Sequence, residues 1–453
     1  MPRLAQSLAR AAGRASRALG RGGGTSLPGV VLLRLRPGGL AELAAELPSG
    51  SALISATNGK TTTTRFVARC LREEGRSVLA NTAGANLASG VATTLLSRAD
   101  EQLGLFEVDE AALPHVALQL RPRVVVLMNL FRDQLDRYGE LEAIAARWAE
   151  MIDRLPADVV LVVNADDPTL AGLPLEGRRV VWFGLADTRH ALPEVPHAAD
   201  ATVCPRCASR LEYDPPLLGH LGIWRCPGCG HARPSPEVVA ERIELDASRG
   251  QSVTVRRGED VVSARLSLPG LHNTYNATAA VAASLELGVS PTAIARALEA
   301  TPPAFGRAER VVLGGRQIQI LLAKNPAGVN QNVRTLLLEE GPLDLLLCLN
   351  DRTADGRDVS WIWDVDYEPL LERAAHLTVT GDRAYDLALR LRYADVSPPE
   401  ITVEESGPAA LDRALERTDR DGTLFVLPTY TAMLELREDL VRRGAAEAFW
   451  RDG

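Results

Sequence analysis

The chain has 453 residues, too many for one ordinary hydrophobic core, so two or three domains are expected. Its composition, 46% hydrophobic and 24% charged, is that of a globular protein, and no apolar run is long enough to span a bilayer. A net charge of −8 argues against the chain as a whole being a nucleic-acid binder, and no apolar export segment with a small-residue cleavage site follows the N-terminus.

Charge is unevenly placed. Arg3, Arg10, Arg14, Arg17, Arg21, Arg34 and Arg36 all precede the first acidic residue, Glu42. Leu4, Leu8, Ala12 and Leu19 add a weak apolar stripe. A solvated basic helix, an attachment to an anionic membrane surface and an organelle transit peptide all fit this pattern. "GRGGGTSLPG" (20–29) reads as a flexible joint, so residues 1–45 are expected to be a basic helix and joint ahead of the main fold.

From about residue 50, apolar strand-like runs alternate with helical patterns. The runs are Ala52–Ile54, Leu105–Val108, Val124–Met128, Val159–Val163 and Val180–Phe183. Leu141, Ile144, Ala145, Trp148, Ile152 and Leu155 fall on one helical face. Such alternation predicts an α/β fold whose parallel sheet is covered on both sides. It breaks near residue 195. A cysteine-containing segment follows, then Val253–Val255 and Ala264–Leu268 alternate like antiparallel strands. Helical patterns return at Ala277–Leu287 and Pro291–Leu298. After Pro302-Pro303 a second α/β unit begins near residue 312, with strands at Ile318–Leu322, Leu343–Leu349, Leu377–Val379 and Leu424–Leu427, and helices at about Val333–Glu339, Tyr385–Leu391, Leu411–Glu416 and Ala432–Val441. The expected domains are therefore 46–311, carrying an insertion at 200–233, and 312–453.

"SATNGKTTTTR" (55–65) lies between a strand and a helix, the context a phosphate loop requires. Backbone N–H groups and the helix N-terminus would hold phosphate oxygens. Lys60 would neutralise the β- and γ-phosphates, and the Thr61 hydroxyl would ligate Mg²⁺. The usual glycine five residues before Gly59 is Ile54 here, and a chance Gly-Lys-Thr is the bland alternative.

Thr57-Asn58-Gly59-Lys60-Thr61-Thr62 resembles the ATP loop of the Mur ligases and folylpolyglutamate synthases. The resemblance continues through "NADDP" (164–168), "HNTYNATAA" (272–280), "FGRAER" (305–310) and "KNPAG" (324–328), in the family's order and over nearly the whole chain. It implies a P-loop ATPase domain followed by a Rossmann-like C-terminal domain. It also implies a reaction that turns a carboxylate into an acyl phosphate for attack by an amine. Asn58, Gly59, Lys60, Thr61 and Thr62 would then hold ATP phosphates. Asn273 and Asn276 would meet adenine, and Arg307 would bring a second-domain cation to the phosphates. Glu107, in "FEVDE", would ligate Mg²⁺ beside Thr61.

The departures narrow the family. Gln134 stands where these ligases commonly carry a metal-binding histidine. No lysine occurs between Lys60 and Lys324, so the carbamate lysine of the ordinary ligases is absent. Leu321 replaces an acidic residue that often holds ribose. Cys204-Pro-Arg-Cys207 and Cys226-Pro-Gly-Cys229 have the spacing of a four-thiolate structural zinc ribbon, with redox cysteines as the alternative.

A zinc ribbon inside a Mur-type ATP domain resembles the MurT family, the synthetase subunits of lipid II isoglutaminyl synthase. That resemblance implies ATP-dependent amidation of the α-carboxyl of D-glutamate in the lipid II stem peptide. It implies ammonia from a GatD-like glutaminase partner in a heterodimer, with ATP, Mg²⁺ and structural Zn²⁺ as cofactors. The setting would be the cytoplasm, at the inner face of the membrane where lipid II lies. The family's glutaminase has a Cys–His pair whose acidic third member comes from the synthetase subunit. In "NDRTADGRDVSWIWD" (350–364), Asp358 is the first choice for that role and Asp355 the second. A solvated loop is the bland reading of this segment. Trp361 and Trp363 read equally as interface anchors or as core. The competing function is a stand-alone Mur- or folylpolyglutamate-type amino-acid ligase.

Overall fold

The computed structural model describes residues 2–18, 26–81, 85–132, 141–196, 199–302, 307–396 and 399–446. At the centre of the first domain is β1 (Ser51–Ser55), buried at every position. A strand covered on both faces needs a continuous apolar run, which "ALI" supplies. β2 (Val78–Ala80), β3 (Leu103–Glu107), β4 (Val124–Leu127), β5 (Val160–Asn164) and β6 (Arg179–Leu185) join it in parallel, in the order β2-β3-β1-β4-β5-β6.

Between β6 and the next strand of this sheet lies the cysteine segment, which contains a two-stranded hairpin, β7 (Glu212–Leu218) and β8 (Leu221–Arg225). β9 (Val238–Asp246) then pairs parallel to β6, and β10 (Gly250–Arg257) and β11 (Asp260–Leu266) extend the sheet antiparallel. Only this antiparallel end shows the alternating burial that periodicity had suggested for it. The helix Lys60–Glu73 covers one face of the sheet with Phe66, Val67, Cys70 and Leu71. The alanine-rich helix Leu271–Glu286 lies against it, buried along most of its length.

The second sheet has the order β12-β13-β17-β14-β15-β16. Its strands are β12 (Arg307–Leu313), β13 (Arg316–Leu321), β14 (Leu343–Cys348), β15 (Ala374–Thr380), β16 (Ile401–Val403) and β17 (Thr423–Pro428). All pairs are parallel except β12–β13. The strand order reverses between β14 and β17, where an open α/β sheet forms a crevice at its carboxyl edge.

Two expected boundaries move. The second sheet begins at Arg307, so a division at 311/312 would cut through β12. The first 45 residues are not merely a helix and a joint. Helices at Leu27–Leu35 and Gly39–Ala44 place Leu32, Leu40 and Leu43 in the same core as Leu53 and Phe106, and "LPG" begins a helix with Pro28 in its first turn. The helix expected at Val333–Glu339 starts earlier, at Pro326, because Asn325 caps it by accepting from the Gly328 N–H at 2.8 Å. Among the described residues no helix is long and apolar enough to cross a membrane.

Candidate functional site

The turn after β1 is built around Gly59, whose φ of 96° belongs to the left-handed region. A β-carbon there would lie 2.0 Å from Asn276 Oδ1, so glycine is required both for the turn and for the approach of the Leu271–Glu286 helix. Asn276 donates to Asn273 Oδ1 at 2.9 Å, and Asn273 donates to the Pro269 carbonyl at 2.7 Å. The Asn-x-x-Asn pair thus stands directly against the phosphate loop.

Neighbouring loops hold the turn from outside. Asn129 accepts from the Asn58 N–H and donates to the Asn58 carbonyl, both at 3.0 Å. Thr57 Oγ1 donates to the Phe131 carbonyl at 3.2 Å and accepts its N–H at 3.0 Å. Asn58 Oδ1 accepts from Asn325 of the second domain at 3.1 Å, so the "KNPAG" loop closes over the phosphate loop. Thr61 is half-buried at the start of the helix.

Lys60 is buried, with its ammonium on the Ala56 and Thr57 carbonyls and 2.8 Å from Glu110 Oε2. Burial alone would pull its pKa down. The Glu110, Glu107 and Asp109 carboxylates outweigh that and hold it above the ordinary lysine value. Glu107, the expected cation ligand, is buried at the end of β3. Sequence reasoning missed Glu110, three residues on, which is the acid in direct contact with Lys60. Thr61, Glu107 and Glu110 together offer the oxygen donors a hard divalent cation prefers. Arg307 opens β12, but its side chain lies outside the described residues, as does Gln134.

The four cysteine sulfurs lie within 4.8 Å of one another. Cys204 and Cys229 are 3.7 Å apart, and Cys207 and Cys226 are 3.4 Å apart. Sulfurs at tetrahedral corners roughly 2.3 Å from zinc are separated by distances of this size, so the set fits one ion and leaves no open position. Each pair sits on a tight turn closed by backbone bonds, Ala208 N–H to Cys204 O and Gly230 N–H to Cys226 O.

"NADDP" ties this ribbon to the phosphate loop. Trp224 Nε1 donates to the Ala165 carbonyl at 3.2 Å, and Arg233 donates to Asp166 Oδ1 at 2.7 Å. Tyr275 donates to the other Asp166 oxygen at 2.7 Å. Asp167 accepts the Leu130 N–H at 3.0 Å, fixing the Asn129–Phe131 loop that grips Asn58 and Thr57. These two aspartates are fully buried, and their visible work is positional.

Beyond β14 the two candidate aspartates separate. Asp355 is 3% exposed and accepts both the Thr431 N–H, at 2.8 Å, and the Thr431 hydroxyl, at 2.5 Å. Burial pushes its pKa up. It holds the start of the Tyr430–Arg442 helix and is turned away from solvent, so its reading as a residue that reaches a partner does not fit this geometry. Asp358 is exposed, and the Ser360 backbone N–H at 2.8 Å helps hold its carboxyl below the usual range. The tryptophans follow on a 3₁₀ turn, Ser360–Asp364, not a strand. Trp361 packs on the second-domain core, whereas Trp363 is 51% exposed beside Tyr393 and Arg390.

Residues 54–219 match the Mur ligase middle domain, and residues 322–433 match the MurT ligase C-terminal domain. The chain is 33% identical to the MurT subunit of lipid II isoglutaminyl synthase (glutamine-hydrolyzing) from Streptococcus pneumoniae, across 97% of this chain and 98% of that one. The Staphylococcus aureus subunit of the same name is 32% identical, across 96% and 97%. Among solved structures, a pseudomurein peptide ligase type C from Methanothermus fervidus superposes with a TM-score of 0.69 at 21% identity, covering 89% of this chain and 80% of that one. The Mycobacterium tuberculosis folylpolyglutamate synthase superposes at 0.61 and 18% identity, covering 94% and 99%. These structural likenesses speak to the fold, whereas the near-full-length sequence matches speak to the family: the chain belongs to the MurT family.

Proposed function

We propose that this chain is the ATP-dependent synthetase subunit of a lipid II isoglutaminyl synthase. In this reading it amidates the α-carboxyl of D-glutamate in the lipid II stem peptide, with ammonia from a GatD-like glutaminase. The likeness to MurT subunits over nearly the whole chain carries the proposal.

The substrate carboxylate oxygen attacks the γ-phosphorus of ATP, and ADP leaves. Ammonia then attacks the acyl carbon and the amide C–N bond forms, while the carbon–oxygen bond to phosphate breaks and phosphate departs with that electron pair and the proton that the nitrogen loses. Lys60 and the backbone N–H groups at the start of its helix bind phosphate oxygens, with Arg307 as the second-domain cation. Asn273 and Asn276 receive the adenine end. Thr61, Glu107 and Glu110 are the residues that would hold Mg²⁺, which when bound screens the repulsion between the phosphates and the carboxylate. Thr57, Asn58, Asn129 and Asn325 position the loop. The four cysteines would hold Zn²⁺ as a structural ion, fixing the segment that braces the Asn129–Phe131 loop. Purified protein is accordingly expected to carry about one zinc per chain, lost together with thermal stability in Cys204→Ser; metal analysis and a melting curve check both.

Asp358 supplies the acid that orients the partner's imidazole. Its exposure, and a carboxyl held below the usual range by the Ser360 N–H, support this assignment, and the inward tie of Asp355 counts against the rival. Exposed Trp363 is the interface anchor, whereas Trp361 belongs to the core. Asp358→Asn, assayed with the glutaminase subunit and lipid II, is expected to cut glutamine-dependent amidation by about 10²–10⁴-fold while ammonia-dependent amidation persists. Retained glutamine use would refute the cross-subunit role.

A further inference from the structure

The N-terminal helix Pro2–Ala18 shows three different faces at helical spacing. Ala5, Ala9 and Gly13 are buried, the small face that meets the Leu27–Leu35 helix. The approach is close, since a β-carbon on Gly13 would lie 2.6 Å from Pro28 Cγ. A second face carries Leu4 and Leu8, 68% and 50% exposed, with exposed Ala11 continuing the row. A third carries exposed Arg10 and Arg14, with Arg10 Nε also donating to the Leu96 carbonyl at 3.1 Å. Leu27 and Leu35 on the next helix are exposed as well, at 43% and 51%.

Single exposed leucines are ordinary. Here they form a row on a helix already packed by its other face, with arginine beside them. No acidic residue occurs before Glu42, although the chain as a whole carries −8. An apolar row flanked by arginine is the pattern of a helix lying in a bilayer interface, leucines in the acyl boundary and guanidinium groups among the headgroups. The charge selects the occupant: an anionic lipid surface, against which the rest of this acidic chain would be repelled.

We infer that the N-terminal helix pair is an interfacial attachment to anionic membranes. It goes beyond the amidation reading and does not depend on it. The same body carries the phosphate site. Gly29 packs against the Ser89 carbonyl at the start of the Ala88–Leu96 helix, and the Asn86 carbonyl just before that helix accepts the Asp109 N–H. Attachment through these helices would therefore hold the Lys60–Glu110 site at a fixed height above the bilayer.

The test is flotation of the purified full chain with vesicles of phosphatidylcholine alone or mixed with phosphatidylglycerol. Binding is expected on the anionic vesicles only and is expected to be lost in high salt. Leu4→Ser with Leu8→Ser should weaken it about tenfold, and Arg14→Gln about fivefold at low salt. All three positions are exposed, so melting temperatures should not move. Equal flotation on neutral vesicles, no flotation on either, or a leucine variant that floats like the parent chain would each overturn the inference. The salt arm uses the unaltered protein, so it decides the electrostatic half whatever a variant does.

Discussion

Two strand-end loops in this molecule begin alike and end differently. β1 and β14 are both central parallel strands, and both open at the carboxyl edge of their sheet into a polar loop. After β1, the polar groups are paired within the chain: Thr57 with Phe131, Asn58 with Asn129 and Asn325, Lys60 with Glu110. After β14, the loop is tied at both ends, with Asp364 paired to Arg132 of the first domain at 3.3 Å, but its middle turns outward. Asn350 donates to Thr431 and accepts the Asp382 N–H, and Asp355 holds Thr431. The chain then turns through Gly356, at φ 92°, and delivers Asp358 to solvent. A loop closed by its own chain suits chemistry done inside it. A loop that turns one carboxylate outward leaves that group for something else to engage.

The largest effect belongs to the closed loop. Lys60→Met removes an ammonium that faces the Glu110, Glu107 and Asp109 carboxylates. Amidation from either nitrogen source should fall by about 10³-fold or more. Stability should also drop, by about 3–5 kcal/mol, because Glu110 is left buried without its partner. Adding Glu110→Gln should recover much of the melting temperature and none of the activity. If the double variant melts as low as the single one, the pair does not hold the loop as described. A separate comparison sorts the two cation candidates. Glu110→Gln should cost about 10²-fold and raise the Mg²⁺ concentration needed, with Glu107→Gln showing which acid matters more.

The open loop predicts a split where the closed loop predicts none. Asp355→Ala leaves the Thr431 N–H without its acceptor and should cost about 1–3 kcal/mol of stability. Glutamine- and ammonia-dependent rates should decline together, as for any loosened scaffold. Asp358→Asn should leave the melting temperature in place and separate the two nitrogen sources. A glutamine-specific defect in Asp355→Ala would exchange the roles of the two aspartates.

How far each loop was legible in sequence follows the same division. The phosphate loop is contiguous, so Gly59, Lys60 and Thr61 declare themselves at a strand-to-helix turn. The ribbon declares itself because paired Cys-x-x-Cys turns have few other uses. Glu110 did not, because one strand-end motif holds two glutamates and only the turn after β3 decides which faces the lysine. β7 was hidden by Pro215 and Pro216, which break both alternation and register. The two loop aspartates look equivalent three residues apart, and burial against Thr431 alone distinguishes them. The helix after β13 was placed late because Gly328, Asn330 and Asn332 are poor helix formers, and its true start rests on the Asn325 cap.

Asn325 gives the smallest effect and the sharpest reading of how the two loops communicate. It makes a direct bond between the second domain and the phosphate loop, and the same side chain caps its own helix through Oδ1 while giving Nδ2 to Asn58. Asn325→Ala loses both. Asn325→Asp keeps the cap, because a carboxylate accepts the Gly328 N–H, but cannot donate to Asn58. If the cross-domain bond serves ATP binding, both variants should raise the KM for ATP about fivefold, the equivalent of about 1 kcal/mol. Only Asn325→Ala should also lower the melting temperature. Were Asn325→Asp to match the parent chain in KM, the contact would be incidental to closure, and the second domain would act on the phosphates through other residues.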